Sequence, residues 1–155
     1  MRLILPSAVD QYLAQHHVMT LATQGDDGPW AAAVFYARDG DDLVFLSSPG
    51  SRHSRNLALQ PRCAVTIQGD ATDWRQIRGI QAEGLVRQAS GADLVQARAC
   101  YERRFAFVRP QSAAPALASA LARVHWYRLQ IRRLHYIDNQ RGFGQRQQFE
   151  PDGRD

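Results

Sequence analysis

The sequence predicts a mainly-β α+β fold: a six-stranded antiparallel barrel with helices packed against it. Three observations carry this. Six runs rich in β-branched and aromatic residues recur along the chain, most of them bounded by Gly, Pro or Asp clusters. Segments with helical spacing fall between these short strands and their turns, which gives a small barrel with packed helices. Neither G-x-G-x-x-G nor G-x-x-x-x-G-K occurs, so no Rossmann unit or Walker loop is supported. At 155 residues, 45% of them hydrophobic, the chain is long enough for one domain with a real core.

The elements follow in order. Residues 6–17 read as a helix, with Ser7 as N-cap and Val9, Tyr12, Leu13 and His16 near helical spacing. Residues 18–23 and 30–37 read as a hairpin around the turn Gly25-Asp26-Asp27-Gly28-Pro29. Residues 38–42 turn the chain into a third strand, 43–47. A short helix over 52–59 stops before Pro61, because the residue ahead of proline avoids helical geometry. Residues 62–68 are a fourth strand. A turn over 69–73 leads to a long fifth, 74–88, with Gly79 and Gly84 as bends or bulges. A helix over 92–104, irregular chain, and an Ala-rich helix over 116–122 precede a sixth strand, 124–137. There Val124, Trp126, Arg128 and Gln130 alternate with His125, Tyr127, Leu129 and Ile131. Residues 138–144 read as a loop. The domain spans 1–144, and 145–155 is a tail whose end, 150–155, frays.

Composition narrows the chemistry. The net charge is +4, and all 19 basic residues are Arg. Without Lys there is no Schiff-base chemistry, while an Arg-rich surface suits an anionic ligand or, less well, nucleic acid. Cys63 and Cys100 belong to no Cys-x-x-Cys pair and read as buried free thiols. No run reaches membrane-spanning length, and the apolar start Leu3-Ile4-Leu5 is too brief for a secretory signal. The expected compartment is the cytoplasm. His16 and His17 are adjacent, so on a helix they face different ways. They suit the C-terminal end of a helix dipole better than a shared ion, and no metal is assigned. Trp30, Trp74, Trp126, Phe35, Tyr36 and Phe45 read mostly as core.

One junction stands out. The run Leu43-Val44-Phe45-Leu46 delivers Ser47 and Ser48 to a Pro49-Gly50 turn, and Ser51-Arg52-His53 then opens a helix. Free N–H groups in a first helical turn, with hydroxyls and basic side chains beside them, make a phosphate site. Arg52 adds a guanidinium fork. Ser51 also reads as an ordinary N-cap.

This junction resembles the pyridoxamine 5'-phosphate oxidase-like superfamily of flavin-binding split β-barrels, and the element order resembles it over roughly residues 8–144. Phe45-Leu46-Ser47 through Ser51-Arg52-His53 looks like its aromatic strand, Thr, four-residue gap and Ser-Arg-Lys. Asn56-Leu57, Gln60-Pro61-Arg62, Trp74 and Arg78-Gly79-Ile80-Gln81-Ala82-Glu83-Gly84 look like further parts of its pattern. The closing Asp138-Asn139 and Gly142-Phe143-Gly144 look like a small bacterial branch. The resemblance implies flavin mononucleotide as cofactor. Arg52 and His53 would grip its phosphate, with Ser47 and Ser51 as hydroxyl donors. Ala32, Ala33 and Val34 would lie along the ring, and Gly79 and Gln81 would reach the flavin of a second subunit in a homodimer. His53 stands where Lys is usual, and Gly79 where a Gln would contact the ring. The function expected is a flavin-dependent oxidoreductase acting on a small molecule. The alternatives are a non-catalytic flavin- or haem-binding module and, third, a basic nucleic-acid-binding domain.

Overall fold

A computed structural model describes residues 2–152. One antiparallel sheet of eight strands curls on itself in the order β2-β1-β5-β6-β7-β4-β3, with β8 paired to β7. The strands are β1 (Val18–Gly25), β2 (Gly28–Phe35), β3 (Ala37–Asp39), β4 (Asp42–Ser47), β5 (Arg62–Gln68), β6 (Arg78–Gln88), β7 (His125–Asp138) and β8 (Arg146–Phe149). The helices are α1 (Ser7–Gln15), α2 (Arg52–Leu59), α3 (Gly91–Arg104) and α4 (Pro115–Leu121). The mainly-β barrel class holds, and the strand count rises from six to eight.

Each difference has a local cause. The strand expected over 30–37 breaks at Tyr36, whose N–H donates to the His17 carbonyl at 3.0 Å and whose hydroxyl donates to the Leu13 carbonyl at 2.7 Å. The chain then changes partner, from β1 to β4. The fifth strand begins at Arg78, not Trp74. Asp73 accepts the Arg75 N–H at 2.8 Å, and Asn139 Nδ2 donates to the Trp74 carbonyl at 2.9 Å, so residues 74–76 wind into a 3-10 turn. The last strand of the sheet, β8, falls in the segment read as a tail. Long β7 gives one edge to β4 along its first half and to β8 along its second. Glu150 pairs with Arg133 at 2.8 Å, and the Asp152 N–H reaches the Arg2 carbonyl at 3.3 Å. The rest of the end expected to fray, 153–155, lies outside the described residues, as does Met1. Pro6, not Ser7, holds the N-cap position of α1. The sheet bulges between Glu83 and Gly84 and not at Gly79. A Cβ on Gly84 would lie 2.0 Å from the Gln130 carbonyl oxygen, so only glycine allows the two backbones this approach.

Two cores result. Inside the barrel, Met19, Leu21, Leu43, Phe45, Val65, Ile67, Ile80, Leu129 and Ile131 pack with Val9, Tyr12 and Leu13 of α1. On the outer face, α3 covers β3, β4 and β7 through Ala97, Cys100 and Tyr101 against Ala37, Val44 and Trp126. Strand β7 is therefore buried on both faces along its first half, through Ile131, which its alternating pattern does not reveal. Tyr36, Phe45 and Trp126 are core as expected, but Trp30, Phe35 and Trp74 are 42%, 45% and 44% exposed. Both cysteines are buried free thiols, and burial pushes Cys63 up to about 12. No helix among the described residues is long and apolar enough to cross a membrane.

Candidate functional site

The β4–α2 junction forms as the sequence predicts, because its determinants are local. Ser51 takes an extended N-cap conformation, and its Oγ accepts the Ser54 N–H at 3.3 Å. The first backbone bond of the helix runs from the Arg55 N–H to the Ser51 carbonyl at 3.1 Å. The N–H groups of Arg52 and His53 precede any intrahelical acceptor. Asn56 ties the helix to the sheet: buried, it donates from Nδ2 to Thr23 Oγ1 at 3.0 Å. Gly25 makes room for it, since a Cβ there would sit 2.0 Å from Asn56 Oδ1. Asn56 is thus the residue that seats the site. In the sequence it is legible only as part of the resemblance.

Three of the expected site atoms converge. Ser47 Oγ lies 2.6 Å from His53 Nε2 and 3.1 Å from Ser51 Oγ, and Ser51 Oγ lies 3.3 Å from the same nitrogen. Ser51 Oγ also donates to Ser54 Oγ at 2.9 Å. Burial lowers the His53 imidazole from its ordinary value, which favours the neutral ring. The cluster therefore holds hydroxyls, a neutral ring and a helix N-terminus, with no carboxylate in contact with it among the described residues.

Arg52 points elsewhere. Its Nη2 donates to the Asp27 carbonyl at 3.0 Å, and its guanidinium carbon stands 4.4 Å from the centre of the Trp30 ring. It is turned toward the β1–β2 turn, away from the Ser-His cluster. Arg55 is likewise held, by the Gly50 carbonyl at 2.5 Å.

The remaining expected residues divide. On β2, Ala32 and Val34 alternate onto the barrel-facing side with Trp30, opposite Leu21 and Met19, while Ala33 faces outward. Gly79 and Gln81 lie toward the start of β6, and the end of β6, at Leu85, is the part that pairs with Arg62 just after α2. Within one protomer they stand at the opposite end of the barrel from the Ser-His cluster. Gly79 is buried and Gln81 exposed.

A surface concavity of about 570 Å³ lies away from the cluster. It lies on the outer sheet face between Ala22, Arg62, Ala64, Glu83 and Arg132. A smaller one, about 280 Å³, adjoins α2 and is lined by Pro49, Ser54, Arg55, Val86, His125 and Tyr127. The chemistry, rather than the volume, selects the junction. Its donor set fits a phosphate ester: two hydroxyls, an imidazole, first-turn N–H groups, and a guanidinium on the same turn.

Comparison with known proteins agrees with this architecture. A UPF0306 protein of Photorhabdus laumondii is 33% identical over 140 residues, covering 89% of this chain and 90% of its own length. A haem-binding protein of Mycobacterium smegmatis superposes with a TM-score of 0.73 at 25% identity, covering 95% of this chain. This chain spans only 59% of that protein. HutZ, the haem storage protein of Vibrio cholerae, superposes with a TM-score of 0.66 at 19% identity, over 84% of this chain and 91% of its own. Residues 5–138 match the pyridoxamine 5'-phosphate oxidase family, and the chain belongs to that family.

Proposed function

We propose that the protein binds flavin mononucleotide at the β4–α2 junction and acts as a flavin-dependent oxidoreductase on a small molecule. One observation carries this reading: Ser47 Oγ, Ser51 Oγ and His53 Nε2 lie within 3.3 Å of one another at the mouth of α2. Together with the first-turn N–H groups they would hold the phosphate. Arg52 would leave the Asp27 carbonyl and close over it. Ala32 and Val34, small and on the same face as Trp30, would let a flat ring approach the strand. When bound, the flavin would supply the electron chemistry, and the protein's part is anchorage, orientation and the shape of the pocket. Gly79 and Gln81, at the far end of the barrel, would serve a flavin held by a second copy. This reading therefore includes a homodimer, at work in the cytoplasm.

The test is a titration with flavin mononucleotide, read by flavin fluorescence and by mass under native conditions. Saturable binding at one flavin per subunit in a dimer is expected, and bleaching by a reduced nicotinamide cofactor would support turnover. Absence of binding overturns the reading.

A second reading has its own support. Two structurally similar proteins bind or store haem. In that reading the same barrel holds haem or flavin without turnover. A haem titration that shifts the Soret band, with no flavin uptake, would favour it.

A further inference from the structure

We propose that His53 takes up a proton when a phosphate dianion seats among Ser47, Ser51 and the first turn of α2, so that the site grips phosphate esters below neutral pH and releases them as pH rises. This rests on the phosphate reading of the junction and adds its regulation.

In the resting cluster the hydroxyl protons are used internally. Ser51 Oγ accepts the Ser54 N–H at 3.3 Å and donates to Ser54 Oγ at 2.9 Å. Ser47 Oγ lies 2.6 Å from His53 Nε2, and we assign the proton of that contact to the hydroxyl and the ring proton to Nδ1. A phosphate needs those hydroxyls as donors. When the Ser47 O–H turns to a phosphate oxygen, the lone pairs of its Oγ face the lone pair of Nε2 at 2.6 Å. That contact is repulsive unless Nε2 carries a proton. A dianion beside the ring favours supplying it from solvent, as the imidazolium, over moving it from Nδ1.

The surroundings leave His53 as the group that responds. The charged and titratable neighbours on its own helix are Arg52 and Arg55, engaged by the carbonyls of Asp27 and Gly50. Strands β1 and β2, packed on α2, carry no titratable side chain, and the turn between them adds Asp26 and Asp27. On β7, His125 is the cross-strand partner of Ser47. Burial is the cause of the lowered His53 value, with no charged partner opposing it. The free ring thus favours the neutral form, and the bound ring is charged. Between those two states binding takes up one proton.

The test is the affinity for flavin mononucleotide from pH 6.5 to 8.5, where its phosphate is mostly dianionic because the second ionisation lies at about pH 6. Affinity is expected to fall with rising pH at up to about tenfold per unit, the slope of a one-proton uptake. His53→Lys, with a fixed charge, is expected to bind without that slope. His53→Gln is expected to bind more weakly at pH 6.5 and also without slope. Riboflavin, lacking the phosphate, should show none with the wild type. Ring nitrogen shifts of His53 in the wild-type complex at pH 7.5 need no variant, and should be those of an imidazolium. Binding that is flat with pH, or nitrogen shifts of a neutral Nε2–H tautomer, overturns the inference and leaves the phosphate reading intact. No binding of flavin mononucleotide at any pH overturns that reading, and this inference with it.

Discussion

Two polar clusters in this protein are built on opposite principles. Under α3, Arg128 is 3% exposed and faces three carboxylates: Asp39 at 2.8 Å, Asp93 at 2.7 Å and Asp42 at 3.5 Å. Arg87 also pairs with Asp93, and lies 3.7 Å from Asp42. The pairings at Arg128 Nε and Asp39 Oδ2 are close charge contacts with poor hydrogen-bond angles. At the mouth of α2, by contrast, Ser47, Ser51 and His53 lie within 3.3 Å of one another with no carboxylate in contact among the described residues. The first cluster already contains its anions. The second has donors and a helix N-terminus but no carboxylate in contact with it among the described residues, and the proposed phosphate would supply that charge. A saturated ionic cluster locks α3 to the sheet, whereas a neutral donor cluster is available to a ligand.

The largest expected effect lies in the saturated cluster. Arg128→Ala leaves three carboxylates facing a void and should cost about 3–5 kcal/mol in denaturant unfolding. Its residual folded fraction should titrate flavin mononucleotide normally. Loss of binding in a folded Arg128→Ala protein would show that the two clusters are coupled. Next, Arg52→Ala should weaken flavin mononucleotide affinity by about 1.5–3 kcal/mol, the worth of a charge-assisted hydrogen bond, with little change in melting temperature. An unchanged titration would remove Arg52 from the site.

Ser51→Ala acts in both respects. It removes the cap of α2 and should cost about 1 kcal/mol of stability while also weakening the phosphate contact. If only stability falls, Ser51 is an N-cap and nothing more.

The smallest effect is the response to acid. The hydrogen bond from Arg87, with burial opposing and Arg128 adding its charge, holds the Asp93 carboxyl below its usual range. Its contribution is therefore fully present above the unfolded value of about 3.9 and is lost as pH falls through the lower folded value. Asp42 has the opposite sign: burial raises its carboxyl despite Arg128 and Arg87, so protonation there is favoured by folding. Asp93→Asn should flatten the loss of stability at the acid end, and Asp42→Asn should remove the opposing gain. The check is a set of unfolding curves from pH 2 to 6. Identical acid profiles for Asp93→Asn and wild type would remove Asp93 from the clasp.

What was legible in the sequence follows the range of the interactions. The β4–turn–α2 junction could be read because a cap, a proline stop and a strand end are decided by residues within a few positions of one another. Strand β3 is not legible there because it depends on Tyr36 reaching the carbonyls of Leu13 and His17, far away in the chain. The Arg128 cluster is hidden from the sequence for the same reason. In the strand pattern Arg128 reads as one polar residue among alternating ones, and only the packing of α3 brings Asp93 over it.

The sequence by itself determined the barrel class, the order of most elements and the donor types at the α2 mouth. Those follow from periodicity, turn chemistry and capping, which are local. Tertiary structure alone decided that Ser47 and His53 touch and that Arg52 rests on Trp30. It also decided that the first half of β7 is buried on both faces, and that Gly79 and Gln81 stand at the other end of the barrel from the Ser-His cluster. Side-chain partners across a curled sheet are set by strand register and helix seating, and no short window of residues contains either.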